Sequence, residues 1–119
     1  MKKYFITGIS TEVGKTVASA ILTEALNADY WKPIQSGDLD YGDTDKIKAL
    51  ISNKTSVFHK NSYALNTPMS PHASASIDGV EISLKKIKEP KTNNHLMFFF
   101  MPFFTCFLMM FLCFLKAIY

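Results

Sequence analysis

The residue types and spacing between Gly8 and Thr16 are those of a loop that binds phosphate groups. The segment reads Gly-Ile-Ser-Thr-Glu-Val-Gly-Lys-Thr, with five residues between its glycines where the common pattern has four. Backbone N–H groups at a helix start attract anions, a lysine neutralises phosphate charge, and a threonine hydroxyl can ligate Mg²⁺. The motif predicts that Gly14, Lys15 and Thr16 hold nucleotide phosphates and a metal ion. A chance Gly-Lys-Thr at a helix start is the alternative.

Such a loop needs a buried strand before it and a helix after it, and the sequence supplies both. Apolar runs and helical spacing predict strands at 4–6 and 30–34, and helices at 15–26, 44–52 and 82–88. Residues 61–76, with two prolines and many small polar side chains, are predicted to form a long loop. The first helix is expected to bury an apolar stripe made of Val17, Ile21, Leu22 and Ala25. Strands alternating with helices predict an α/β fold with a parallel sheet.

Length and charge exclude several classes of protein. The 119 residues allow one domain, which is too short for a complete doubly wound enzyme. The net charge is +3 and arginine is absent, so nothing indicates a nucleic-acid partner. Residues 1–95 contain no cysteine and the N-terminus lacks the pattern of a secretory signal, which favours a reducing, cytoplasmic location.

Four segments in order resemble one enzyme family, the dethiobiotin synthetases. The first is the Thr-Glu-Val-Gly-Lys-Thr stretch that ends the phosphate loop. The others are Trp-Lys-Pro-Ile-Gln-Ser-Gly at 31–37, Gly-Asp-Thr-Asp at 42–45 and Thr-Pro-Met-Ser-Pro-His-Ala at 67–73. The resemblance covers about four-fifths of the chain and roughly the N-terminal half of a family member. It implies a truncated phosphate-loop nucleotide-binding fold over residues 1–95.

The resemblance implies a reaction and its substrates. Family members carboxylate diaminopelargonic acid with CO2, phosphorylate the carbamate with ATP, and close a ring to give dethiobiotin, ADP and phosphate. On this basis Lys32 is the catalytic lysine, acting on the carbamate and the γ-phosphate. Thr11 and Ser36 are implied substrate contacts. Taken alone, a lysine before a proline is a solvated surface residue.

The resemblance also implies the nucleotide and metal ligands. The residues expected around ATP are Glu12, Val13, Gly14, Lys15, Thr16, Val17 and Asp45. Thr16 and Asp45 are the expected Mg²⁺ ligands, since carboxylate and hydroxyl oxygens suit that ion. The alternative for Asp45 is a carboxylate that only stabilises the start of a helix. Family members are homodimers.

The last 24 residues differ sharply from the rest of the chain. Residues 96–119 hold eight of the ten phenylalanines, four of the six methionines and both cysteines. A strand near residue 95 should lead into Glu-Gly-Ala-Gly-Gly, whose glutamate is a further family Mg²⁺ ligand, but that segment is absent. A shifted reading frame is the favoured explanation of this apolar tail, and it predicts an inactive product.

Two other interpretations of the chain stay open. The uncharged run at 96–115 is long enough to cross a bilayer, which would make the chain a membrane-tethered nucleotide-binding module. The chain could alternatively be part of another phosphate-loop ATPase. That interpretation predicts ATP hydrolysis that does not depend on diaminopelargonic acid.

Overall fold

The computed structural model describes residues 1–8, 10 and 14–99, and within them the fold is α/β with parallel strand pairing. The strands are β1 (Lys3–Ile6), β2 (Asp29–Trp31), β3 (Ile34–Ser36), β4 (Phe58–His59), β5 (Tyr63–Leu65) and β6 (Leu96–Phe99). The helices are α1 (Lys15–Leu26), α2 (Asp43–Leu50) and α3 (Pro71–Asp78), with a 3₁₀ turn at Leu84–Lys86. The predicted fold class is confirmed. Expectations for Thr11, Glu12, Val13 and residues 100–119 lie outside the described residues.

The larger sheet has the strand order β1-β6-β2-β4, and the smaller one pairs β3 with β5. All of these pairings are parallel. β6 lies between β1 and β2, with Leu96 opposite both Lys3 and Asp29. The carboxyl ends of β1 and β2 therefore flank β6 at one edge of the sheet, where the phosphate loop and Lys32 follow.

β6 is the most deeply buried strand, and its composition explains why. All four of its residues are buried, with Met97 and Phe99 packed in the cluster under α1 and α2, and Leu96 and Phe98 against Trp31 on the other face. Central parallel strands are covered on both faces and are apolar throughout. Residues 96–99 thus belong to the sheet, although their composition groups them with the tail. Within the described residues, no helix combines the length and apolar character needed to span a membrane.

Helix α1 has its predicted limits, but the prediction of its buried face was wrong. The side chains of Val17, Ile21 and Leu22 are 56%, 62% and 40% exposed. The buried face carries small side chains instead, among them Ser19 and Thr23. Small side chains let the helix approach the sheet closely, whereas the larger apolar residues at the neighbouring positions point outward.

Three further segments differ from their predictions. The helix expected at 82–88 is only a 3₁₀ turn at Leu84–Lys86. The strand expected at 30–34 is divided, because Pro33 has no N–H to donate and its carbonyl accepts the N–H groups of Ser62 and Tyr63. The predicted loop at 61–76 contains β5 and most of α3. α3 begins with a proline at its first turn, a position where the missing N–H costs no hydrogen bond.

Candidate functional site

The phosphate loop leads into α1 through a glycine in a left-handed conformation. Gly14 has φ of 84° and precedes Lys15, the first residue of the helix. A Cβ at this position would meet nothing within 4 Å, so the backbone angle, and not space, is what favours glycine here. The side chain of Lys15 is 8% exposed, and its Nζ donates a hydrogen bond to the carbonyl of Ser10. The lysine is therefore folded back onto the loop.

Lys32 lies directly after β2 and is almost completely buried. Its exposed fraction is 4%, and its Nζ forms an ion pair with Oδ2 of Asp43. The same Nζ lies 4.9 Å from the centre of the Phe99 ring, an arrangement in which the ring face attracts the cation. The Lys32 carbonyl accepts a 2.6 Å hydrogen bond from Nδ2 of Asn61. A solvated surface lysine, the alternative interpretation, is thereby excluded.

Asp43, at the start of α2, joins the loop to the buried lysine. Its Oδ1 accepts a 3.0 Å hydrogen bond from the Thr16 hydroxyl, while its Oδ2 contacts Lys32. Burial would raise the pKa of Asp43, but the charge of Lys32 and the two hydrogen bonds outweigh it and hold the pKa below the usual range. Burial also lowers the pKa of Lys32, with the Asp43 carboxylate acting in the opposite direction.

The carboxylate of Asp45 caps the start of α2. The side chain is on the exposed part of α2, and its Oδ2 accepts a 3.0 Å hydrogen bond from the N–H of Gly42. That contact caps the helix, as the alternative interpretation expects. Binding of Mg²⁺ by Asp45 stays a prediction. The carboxylate that the structure places against Thr16 belongs to Asp43, which was not among the predicted ligands.

Ser36 and Gly37 bring a second pair of motifs together. The Ser36 hydroxyl is buried and has no hydrogen-bond partner among the described residues. Gly37 has φ of 69°, and a Cβ there would lie 2.5 Å from Cβ of Pro68. The N–H of Gly37 donates to the carbonyl of Leu65 at 2.8 Å. The segment at 31–37 thus packs against the one at 67–73, and the proposed contact of Ser36 with substrate stays a prediction.

The oxygen atoms beside Lys32 form a donor set suited to Mg²⁺. The Thr16 hydroxyl and the Asp43 carboxylate already lie within 3.0 Å of each other, and both are hard ligands. Val17, one residue further along α1, is exposed. The arrangement gathers a helix N-terminus, two lysines and a carboxylate, which is chemically suited to binding a phosphate group with a cation.

Comparison of the sequence with those of known proteins identifies the family of this chain. The sequence model of a family described as AAA domain matches residues 2–98. The chain belongs to this family. Over 95 residues it is 66% identical to the ATP-dependent dethiobiotin synthetase BioD of Christiangramia forsetii and 54% identical to that of Cytophaga hutchinsonii. Over 96 residues it is 46% identical to the protein of the same name from Chlamydia pneumoniae.

The matches cover most of this chain but less than half of each relative. Each of the first two covers 80% of this chain but only 46% of the relative. The Chlamydia pneumoniae match covers 81% of this chain and 42% of that protein. The chain therefore spans less than half the length of the curated relatives that it matches. The predicted resemblance to dethiobiotin synthetases is confirmed over this shared part.

Proposed function

We propose that this chain provides the phosphate-binding half of an ATP-dependent dethiobiotin synthetase. The observation that carries the proposal is the convergence of Lys15, Thr16, Lys32 and Asp43 at the carboxyl edge of the sheet. The 66% identity to a curated enzyme of that name supports the same reaction. The substrates would be diaminopelargonic acid, CO2 and ATP, in the cytoplasm and in a homodimer.

The proposed reaction needs positively charged groups in the site, because negative charge develops on the carbamate and on the transferring phosphoryl group. Gly14 and the start of α1 would direct backbone N–H groups at the nucleotide phosphates, and Lys15 would leave the Ser10 carbonyl to neutralise them. The buried Nζ of Lys32 would attract the carbamate and the γ-phosphate. Its fixed surroundings would orient these groups without reorganisation of solvent.

Mg²⁺ would be held by oxygen ligands that the chain already gathers. Thr16 and Asp43 are the candidates that the geometry favours, and Asp45 would join them only after releasing the Gly42 N–H. When bound, the ion would screen the charge of the phosphates. Ser36 would contact the substrate through its hydroxyl, which is buried and has no hydrogen-bond partner within the described part of the chain.

A chimera tests the function directly. Residues 1–95 of this chain would replace the matching part of the Christiangramia forsetii enzyme, and dethiobiotin would be measured with diaminopelargonic acid, CO2 and ATP supplied. We expect product from the chimera and at least about a hundredfold loss with Lys32→Met, the size expected when a charge-stabilising donor is removed. Lys48→Met, which changes an exposed lysine of α2, is the matched control and should retain activity.

Two results would reject the proposed function. A folded chimera that binds ATP but forms no dethiobiotin would show that these residues serve another reaction. ATP hydrolysis that does not depend on the diamine would point to a different phosphate-loop ATPase. Sedimentation of the active chimera would measure the proposed homodimer.

A further inference from the structure

The ion pair between Lys32 and Asp43 occupies both of the groups that the proposed ligands need. Oδ2 of Asp43 contacts Nζ of Lys32, and Oδ1 accepts the hydrogen bond from Thr16. The side chains of the pair are 5% and 21% exposed, so water can replace neither partner freely. Phe99, which is 2% exposed, closes the site on another side of the ammonium group. In this state each charge is satisfied by the protein itself.

Binding of either ligand alone would leave one charge of the Lys32–Asp43 pair without its partner. A phosphate group that takes Lys32 leaves the Asp43 carboxylate without its partner and close to a second negative charge. A divalent cation that takes Asp43 leaves the Lys32 ammonium buried and close to a second positive charge. Removing one member of a buried pair is strongly unfavourable because it leaves an uncompensated charge. A phosphate and a cation that arrive together replace both partners.

We propose that the Lys32–Asp43 pair makes the site selective for a phosphate group that is accompanied by a divalent cation, against either ion alone. The inference rests on the proposed function, since it concerns the same site. Thr16 takes part because its hydroxyl is already hydrogen-bonded to the carboxylate that must leave Lys32. The two residues of the pair act here as determinants of ligand selectivity, apart from any catalytic role of Lys32.

Titration calorimetry on the full chain tests the selectivity, with ADP and Mg²⁺ as the probes. We expect ADP to bind about tenfold or more tightly with Mg²⁺ than with EDTA, within the usual range of coupling between two ligands. Mg²⁺ without nucleotide should bind the unmodified chain weakly. These measurements need no variant.

Two variants separate this coupling from the complex that Mg²⁺ forms with ADP in solution. Asp43→Asn should bind ADP more tightly than the unmodified chain in EDTA, because Lys32 is then released, and Mg²⁺ should add little. Lys32→Met should bind Mg²⁺ alone more tightly than the unmodified chain, because the carboxylate is released. Asp38→Asn and Lys48→Met, which change exposed residues before and within α2, are the matched controls and should behave like the unmodified chain.

The outcomes distinguish this inference from the proposed function. The proposed selectivity is wrong if Asp43→Asn does not bind ADP more tightly than the unmodified chain in EDTA. It is also wrong if the ADP affinity of this variant depends on Mg²⁺ as strongly as that of the unmodified chain. Either result would overturn the selectivity even if the chimera makes dethiobiotin. The same holds if the unmodified chain binds neither probe, or binds Mg²⁺ alone as tightly as Lys32→Met does. The expected coupling without dethiobiotin from the chimera would support the selectivity and reject the reaction. Tryptophan fluorescence during urea unfolding shows whether each variant is folded.

Discussion

The hydroxyl of Thr16 donates a 3.0 Å hydrogen bond to Oδ1 of Asp43, although the two residues lie 27 positions apart. This contact joins the first turn of α1 to the first turn of α2. Because the other carboxylate oxygen binds Lys32, one side chain links three segments that the sequence separates. The site is therefore held together by charge as well as by the packing of its helices.

Loss of either member of the buried pair should destabilise the fold. Lys32→Met and Asp43→Leu are each expected to lower the free energy of unfolding by about 3 kcal/mol, because the remaining charge is buried without a partner. The double variant should cost less than the sum of the two. Urea unfolding followed by tryptophan fluorescence measures all three. Additive losses would show that the two side chains do not interact in solution.

Gly37→Ala should be more costly than a similar change at Gly79. Both glycines have positive φ, 69° and 67°, and each alanine would incur the strain of that conformation, about 1 kcal/mol. Only at Gly37 would the new Cβ also meet Pro68 at 2.5 Å, whereas at Gly79 it meets nothing within 4 Å. The difference between the two losses in free energy of unfolding, measured in urea, gives the cost of the contact between the new Cβ and Pro68. Equal losses would contradict it.

The hydroxyl of Tyr30 should reduce stability. It is buried without a hydrogen-bond partner among the described residues, so Tyr30→Phe should raise the free energy of unfolding by about 1 kcal/mol. Tyr63→Phe is the matched comparison, because the Tyr63 hydroxyl accepts the N–H of Ser83 at 2.9 Å. That change should lower stability by about 1 kcal/mol. Thermal unfolding of the two variants decides whether their shifts have opposite signs.

Asp29 should make stability depend on pH in the acid range. Burial would raise the pKa of this carboxyl, but hydrogen bonds from Thr92, Asn94 and the Val57 N–H hold it below the ordinary value. Since the pKa is lower in the folded state, the contribution is complete above the unfolded pKa of about 4 and is lost as the pH falls through the folded pKa. Asp29→Asn should flatten this loss in urea unfolding between neutral and acid pH. Asp38→Asn, at an exposed position, should leave it unchanged.

The exposed face of α1 supports a fifth comparison of stability. Ile21 is 62% exposed, so Ile21→Lys should change the free energy of unfolding by no more than about 0.5 kcal/mol. Ile47 of α2 is fully buried, and Ile47→Ala should cost about 2–4 kcal/mol. Chemical denaturation measures both. A large loss with Ile21→Lys would mean that this face is covered in solution.

Local signals in the sequence predicted the limits of α1. Gly14 and Asn27 both adopt left-handed conformations at the two ends of the helix, which is common for glycine and asparagine. The face that α1 buries was not predictable from hydrophobicity, because contact with the sheet selects small side chains over large ones. The shape of the sheet surface decides which face of α1 is buried, and the sequence of the helix carries no information about that shape.

The position of the carboxylate that contacts Thr16 shows a similar limit. The segment Gly-Asp-Thr-Asp offers two aspartates two residues apart, and side chains at that spacing on a helix point in different directions. Which one faces Thr16 depends on the residue at which α2 begins. The sequence suggested a start at residue 44, whereas the helix begins at Asp43. The observed start leaves Asp43 against Thr16 and Asp45 at the cap of the helix.

The central position of β6 has a consequence for the synthesis of the protein. Lys3 and Asp29 both lie opposite Leu96, so the two early strands share a neighbour that the ribosome makes last among the six. At typical rates of translation, β1 waits roughly 5–20 s for that neighbour to be made. During that interval the nascent chain exposes strand edges that chaperones can bind and that can pair with other chains. The order of synthesis, and not only the final packing, therefore makes residues 96–99 decisive for whether the phosphate loop is ever held in place.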